Sequence, residues 1–297
     1  MSPVTLDYDE RGWFSFMTSL CARKGTVFPY VLPQILLNLV FTAGVVVWYK
    51  HNPSIGVEPE GHIIVGSLVA LLLVFRSNIS FQRYSEARGL LGTIKGGIRT
   101  VATLSHAGVI RQLQVLFAAM IVDVRDSREE REDFSVGPAA MPNAPALRET
   151  VQVALQRIIV DSRRRHDAWL YRRYSPAVRP AIVAQGLVRM LVKLSECDIL
   201  PSAYSMEAVK VVNTEIMGGW DGLVRIVTTP APFPYRHLLG VIVFAFCFSL
   251  PFGLVEGFGW LTLPTCGLVT AAYYGILRLA LELQNPLGWD LNDIDLE

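Results

Sequence analysis

The stretch IIVGSLVALLLVFRSNISFQRYSEARG, residues 63–89, begins like a membrane helix and then becomes polar. Its first part, Ile63 to Phe75, carries no charge and is nearly all apolar. At about 1.5 Å per residue, this part covers roughly 20 Å, which is less than the roughly 30 Å hydrocarbon core of a bilayer. If the helix spans, Arg76, Asn78 and Gln82 therefore lie at membrane depth.

One face of this helix combines apolar and polar side chains. It carries Ser67, Leu71, Phe75, Asn78 and Gln82, which are spaced four, four, three and four residues apart. Leaving the two amides without partners in apolar surroundings would cost roughly a few kcal/mol each. A water-filled path beside the helix would tolerate them, and so would hydrogen bonding between helices inside a bundle. The periodicity leaves both interpretations open.

The composition is that of membrane segments joined to a polar region. The mean hydropathy is +0.37, and charged residues make up 18% of the chain, below the roughly 25% of soluble domains. The net charge of +1 gives no indication of a nucleic-acid partner. The four cysteines show no metal-ligand spacing, which favours free thiols over a disulfide framework.

Four apolar segments occur in two pairs, and each pair has a short connection. They cover residues 27–49, the stretch quoted above, and residues 237–255 and 258–283. No strand-like alternation persists along the chain. We therefore expect an all-α membrane protein with four transmembrane helices in two hairpins and a cytoplasmic helical bundle.

These segments divide the chain into five expected regions. They are an N-terminal segment (1–26), a hairpin with the pore-lining second helix (27–88), a helical region (89–236), a second hairpin (237–283) and an acidic segment (284–297). Arginine and lysine near the span ends predict that both termini and the helical region are cytoplasmic. We expect a multi-pass protein of the plasma or inner membrane whose second helix continues beyond the bilayer.

Four spans from one protomer are too few to enclose a continuous aqueous channel. A pore along this face therefore requires an oligomer that contributes one copy of the second helix per subunit. Rings of Leu71 and Phe75 would then form a narrow hydrophobic neck that closes by expelling water. Arg76 is predicted to point sideways toward a carboxylate or carbonyl, and Arg83 could pair with Glu86.

Three stretches of the chain resemble the bestrophins, a family of pentameric ion channels. They are FRSNISFQRYSEARGLLG (75–92), RIVTTPAPFPYR (225–236) and LELQNPLGWDLNDIDLE (281–297). The resemblance covers nearly the whole chain in the right order, and it is closer to the bacterial and fungal branches than to the animal one. It implies a homopentamer around one axial pore.

The resemblance also implies roles for particular residues. The neck positions carry over to Ser67, Leu71 and Phe75, the face already found from spacing. Family members usually have a bulky apolar residue where this chain has Ser67, so we expect a neck that is tight over two rings. Aligned backwards from TTPAPF, the cytoplasmic aperture falls at Tyr204, for which an ordinary packed aromatic is the alternative.

In animal members the closing acidic segment and the N-terminus bind calcium. Asp290 and Asp293 match two carboxylate positions, and Glu282 and Asn285 match positions whose main-chain carbonyls are used. Calcium prefers six to eight oxygens, and the unbroken acidic run of the animal proteins is absent here. A helix cap or packing of the tail is the alternative, and no other cofactor is expected.

A passive ion channel is the leading functional hypothesis, and an enzyme is not expected. The five histidines are scattered, and the chain has no Gly-rich phosphate loop, nucleophile elbow or redox pair. The expected partners are the lipid bilayer, small inorganic ions and further copies of the chain. We favour small anions such as chloride; a sodium-selective homologue is the first alternative, and a membrane transporter or non-conducting scaffold is the second.

Overall fold

The computed structural model describes residues 26–57, 59–105, 107–132, 176–287 and 293–294. Within these ranges the regular structure is entirely helical, and the predicted all-α class is confirmed for them. Asp290 lies outside the described residues, and so does all of the predicted N-terminal segment except residue 26.

The described helices are numbered in chain order; residues 133–175, between the third and the fourth, lie outside the described ranges. The helices are α1 (Phe28–His51), α2 (Pro59–Leu104), α3 (Ala107–Glu132), α4 (Arg179–Glu196), α5 (Ser202–Val211), α6 (Met217–Thr228), α7 (Phe233–Phe258) and α8 (Thr262–Leu283). A π-helical turn, Val212–Ile216, joins α5 to α6, and a 3₁₀ turn, Gly259–Leu261, joins α7 to α8.

Helix α2 contains 46 residues, so it is roughly 70 Å long at about 1.5 Å per residue. After Pro59 it contains no proline to interrupt its hydrogen bonding. Its buried positions recur every three or four residues from Gly66 to Ser80 and again from Ala87 to Val101. The helix is therefore more than twice as long as the hydrocarbon core of a bilayer is thick, which is the length that the prediction requires.

Three helical stretches of the described residues are long and apolar enough to cross a membrane, by length and composition. They are Phe28–His51, Glu60–Leu104 and Phe233–Leu283. The third contains both α7 and α8. Gly259, with φ of 52°, separates these two helices in a backbone conformation that side chains rarely adopt.

The boundaries of α7 and α8 differ from those predicted. Helix α7 begins at Phe233 rather than His237, because Pro234 lies in the first turn, where an N–H group is not needed. It continues through Pro251 to Phe258, beyond the predicted end at residue 255. Helix α8 begins at Thr262, which places Pro264 in its first turn as well.

The chain divides into two compact units. The first comprises Met1–Tyr84 and Ala231–Asn285, and the second comprises Ser85–Pro230 and Pro286–Glu297. In the first unit α1, α7 and α8 pack on one another. The Phe246 ring stacks on Tyr273 with 5.2 Å between centroids. Because these residues lie at similar sequence distances from the intervening turn, α7 and α8 form an antiparallel hairpin.

The second unit has its own apolar core. Helix α3 packs against α4 and α6, and the core buries side chains from these helices and from the second part of α2. Within this core Trp220 Nε1 donates to Asp123 Oδ2 at 3.0 Å. Gly219 lets α6 approach α2 closely, since a Cβ there would lie 2.6 Å from Ile94 Cγ1.

Candidate pore-lining site

Helix α2 presents a buried face to its own subunit in the first unit. Gly66, Val69, Leu73, Arg76 and Ser80 are buried at alternating spacings of three and four residues. Tyr273 Oη donates to the Gly66 carbonyl at 3.1 Å. This face is therefore fixed by contacts within one chain.

The predicted pore face is a different face of α2, and its own subunit leaves it uncovered. Ser67, Leu71, Phe75, Asn78 and Gln82 are all exposed in the single chain. The exposed fractions of Leu71 and Phe75 are 52% and 54%. An axial pore between copies of α2 requires this exposure. Other apolar residues of the helix are exposed too, so the uncovered surface is wider than the predicted pore face.

The Ser67 side chain is directed back to its own helix. Its hydroxyl donates to the Ile63 carbonyl at 2.8 Å, as serine commonly does inside helices. The position therefore adds little bulk to the exposed face, and the large apolar side chains of that face are Leu71 and Phe75.

The amides of Asn78 and Gln82 are not sealed between helices of one subunit. Both residues are exposed in the single chain. The sequence left two interpretations open, hydrogen bonding between helices or contact with water. The exposure of both residues is the arrangement that the water interpretation needs.

A third amide, which the sequence analysis did not single out, is sealed. Asn38 of α1 is fully buried, and its Nδ2 donates to the Cys247 carbonyl at 2.9 Å. That carbonyl lies four residues before Pro251, which has no N–H to donate to it. Asn38 therefore supplies the hydrogen bond that the proline removes from α7, as neighbouring helices do for prolines inside membranes.

Arg76 is buried, with 2% of its surface exposed, and it points away from the predicted pore face. One guanidinium nitrogen, Nη2, donates to Gln284 Oε1 at 3.1 Å. The guanidinium also lies 5.8 Å from the centroid of the Tyr235 ring. The sideways orientation predicted for Arg76 is confirmed. The acceptor of its hydrogen bond is the side-chain amide oxygen of Gln284.

The suggested local pair between Arg83 and Glu86 is replaced by contacts with other partners. Arg83 Nε donates to the main-chain carbonyl of Gln284 at 3.3 Å. Glu86 Oε1 lies 3.4 Å from Arg225 Nη2. Both side chains reach tertiary partners far away in the sequence, which a spacing rule within one helix does not consider.

Tyr204, the predicted aperture residue, lies near the start of α5, and 53% of its surface is exposed. The neighbouring Ser205 is buried instead, and its hydroxyl donates to the Leu191 carbonyl at 3.0 Å. Tyr204 is therefore not a packed core aromatic of its own chain, and its role at an aperture stays a prediction.

The calcium set suggested by the resemblance is incomplete within the described residues. Of its two carboxylates, Asp293 is half-buried and Asp290 lies outside the described residues. The main-chain carbonyl of Glu282 accepts a hydrogen bond from the main-chain N–H of Asn285, at 3.3 Å. In the part of the chain that the structure describes, no three histidine, cysteine, aspartate or glutamate residues form a metal-binding group. We derive no role for calcium from this set.

Two features of the site escaped sequence reasoning. Asn38 could have been suspected from Pro251, since a proline inside a helix frees the carbonyl four residues earlier. Gln284 accepts bonds from both Arg76 and Arg83, but nothing in its local sequence distinguishes it from a helix-end residue. Both partnerships join residues about 200 positions apart, and pattern rules act over much shorter distances.

Comparisons of this chain with family models, with known proteins and with solved structures agree with one another. A family model described as Bacterial/Fungal Bestrophin protein matches residues 9–297. A voltage-dependent anion channel-forming protein of Nostoc sp. is 26% identical over 288 residues, covering 97% of this chain and 88% of that protein. A protein of the same description from Ralstonia nicotianae is 30% identical over 301 residues, covering 96% and 87%.

Solved structures have the same fold. A bacterial bestrophin homologue from Klebsiella pneumoniae matches with a TM-score of 0.66 at 21% identity, covering 90% of this chain and 93% of that chain. A variant of that homologue matches with a TM-score of 0.72 at 20% identity and the same coverage. Together with the family match over residues 9–297, these likenesses show that the chain is an integral membrane protein and belongs to the bacterial and fungal bestrophin family.

Proposed function

We propose that this protein is a passive anion channel, formed by five copies of the chain around one axial pore lined by α2. The observation that carries the proposal is the uncovered face of α2, where Leu71 and Phe75 are followed by Asn78 and Gln82. Family membership and the names of the Nostoc and Ralstonia relatives support a channel rather than an enzyme, and an anion as the permeant ion.

The pore works through the change in polarity along this face. Rings of Leu71 and Phe75 form a hydrophobic neck, in which water is unstable when the diameter is small. An ion must lose most of its hydration to pass. Asn78 and Gln82, one and two turns further along, then offer amide groups that solvate it again. Amides interact with ions of either sign, so they do not set the selectivity.

The remaining architecture follows from the span count and the charges. In this proposal α1, α2, α7 and α8 each cross the bilayer as two hairpins; three apolar stretches, the last of which contains both α7 and α8, support it. Arginine and lysine residues near the span ends support a cytoplasmic location for both termini and for the helical region, residues 89–236. Tyr204 narrows the cytoplasmic exit of the pore.

The test is the current of the purified protein in a planar bilayer with a chloride salt gradient. Current with a reversal potential near the chloride equilibrium potential supports the proposal. A reversal potential near that of the cation favours a sodium-selective homologue instead. An absence of current under all voltages would leave the transporter or the non-conducting scaffold.

A further inference from the structure

The Arg76 guanidinium is a buried charge with neutral partners. Its contacts among the described residues are the Gln284 amide oxygen at 3.1 Å and the Tyr235 ring at 5.8 Å. Its Nε atom is buried and has no hydrogen-bond partner among the described residues. A buried arginine in a protein is usually paired with a carboxylate. In the part of the chain that the structure describes, Arg76 has no such pair, so its full positive charge remains.

A second arginine strengthens the same positive region. Arg236 of α7 is half-buried and repels Arg76 electrostatically. Its Nε atom is also buried without a hydrogen-bond partner. The repulsion between Arg76 and Arg236 lowers the stability of the folded protein. A glutamate at position 284 would neutralise Arg76, but the residue there is a glutamine. Ionisable residues kept at membrane depth at such a cost usually serve function.

Arg76 lies next in the sequence to Phe75, a residue of the proposed hydrophobic neck, so its charge is close to the neck. Arg76 follows Phe75 directly, so the two Cα atoms lie about 3.8 Å apart. The guanidinium points into the subunit, and salt screens a buried charge much less than an exposed one. An ion leaving the Phe75 ring therefore meets the field of one such charge from each subunit, even though no charged side chain lies on the pore face.

We propose that Arg76, kept unneutralised by Gln284, determines the anion preference of the pore. This inference rests on the proposed channel function and names the origin of its selectivity. Arg76 acts through its electrostatic field without contacting the ion. The field lowers the energy of an anion and raises that of a cation at the inner end of the neck.

The substitution Gln284→Glu distinguishes an electrostatic role of Arg76 from a purely structural one, because the two roles predict different effects on ion selectivity. If Arg76 only holds α2 against the end of α8, then Gln284→Glu should keep or strengthen the contact and leave selectivity unchanged. If Arg76 acts through its charge, Gln284→Glu neutralises that charge in place and lowers selectivity. The substitution changes one side-chain group and keeps Arg76 itself.

The experiment measures the anion-to-cation permeability ratio from reversal potentials in a salt gradient, for pentamers selected by size. We expect Gln284→Glu and Arg76→Gln each to lower this ratio by about tenfold, which corresponds to about 1.4 kcal/mol. Gln284→Met, which adds no charge, should keep the anion preference. Arg88→Gln, which removes an exposed charge from the same helix, is the matched control and should leave the ratio within about twofold.

An unchanged ratio in Gln284→Glu would overturn the inference. An equal fall in Gln284→Met would also overturn it, because that result would assign the effect to the contact rather than to the charge. If wild-type protein conducts no anions, the proposed function itself fails. If wild-type protein is anion-selective and Gln284→Glu retains that selectivity, only the role of Arg76 fails.

Discussion

Two sets of amides in the first unit are placed in opposite ways. Asn38 is fully buried and donates to the carbonyl that Pro251 leaves without a partner. Asn78 and Gln82 are exposed on a face of α2 that the subunit does not cover. The Asn38 amide is explained by the hydrogen bond that it donates to the neighbouring helix α7. Among the described residues no neighbouring helix covers the other two, and the proposed function assigns them to a shared aqueous path between subunits.

The comparison shows that a polar residue in an apolar helix is not by itself a sign of a pore. Its surroundings decide: a sealed amide with an acceptor contributes to packing, whereas an uncovered amide at membrane depth requires water or another polar partner. Substitutions on the two sides of this comparison should therefore affect different properties, namely conduction on the uncovered side and stability on the sealed side.

The largest effect on conduction is expected from removing the neck. Leu71→Ala combined with Phe75→Ala widens the constriction and makes it less apolar, so water and ions enter it more readily. We expect single-channel conductance or open probability to rise by about tenfold in planar-bilayer recordings, equivalent to about 1.4 kcal/mol in the barrier.

The matched control for the neck is Phe81→Ala. Phe81 is also an exposed aromatic of α2, with 60% of its surface exposed, but it lies off the predicted pore face. Its removal should leave the currents nearly unchanged. Equal effects of Phe81→Ala and the double substitution would show that the constriction is elsewhere.

In the second unit, two adjacent glycines of α6 give a contrast in stability. A Cβ at Gly219 would lie 2.6 Å from Ile94 Cγ1, and Ile94 is itself buried. Gly219→Ala should lower the free energy of unfolding by about 1–3 kcal/mol through overpacking. A Cβ at Gly218 meets nothing within 4 Å, so Gly218→Ala should be neutral or stabilise the helix slightly.

Thermal unfolding in detergent measures this contrast. Both variants add one methyl group to the same helix, so any difference between them reports the space around each position. Similar midpoints for Gly218→Ala and Gly219→Ala would mean that α6 does not approach α2 as closely as described.

Removing the sealed amide should cost somewhat less. Asn38→Leu leaves the Cys247 carbonyl without a donor and the Thr42 hydroxyl without its acceptor. Hydrogen bonds between membrane helices contribute about 0.6–2 kcal/mol, and we expect a loss in this range by the same thermal measurement. Asn78→Leu is the comparison substitution and should change the unfolding midpoint far less. The reverse order would contradict the assignment of sealed and uncovered amides.

The smallest effect is expected on conduction when the uncovered amides are replaced. Asn78→Leu combined with Gln82→Leu lengthens the apolar part of the pore face and removes groups that solvate an emerging ion. We expect conductance to fall by roughly two- to threefold, or about 0.5 kcal/mol. Currents equal to those of the wild type would mean that these side chains face something other than the ion path.

The sequence predicts the fold where its signals are local. The uncharged stretch before Arg76 and the amphipathic continuation after it predict the long α2, and the family resemblance is confirmed over residues 9–297. The start of α7 was missed because Pro234 was not recognised as a first-turn residue. The partners of Asn38, Arg83 and Glu86 depend on tertiary packing, which periodicity does not encode.

Ser67 has a consequence for how tightly the channel shuts. Its hydroxyl is satisfied by the helix to which it belongs, and the side chain is exposed in its own subunit. The position can therefore accept a larger apolar residue with no loss of intrachain packing. Under the proposed function, leakage through the resting channel is therefore adjustable at this one site without a change to the packing of the subunit.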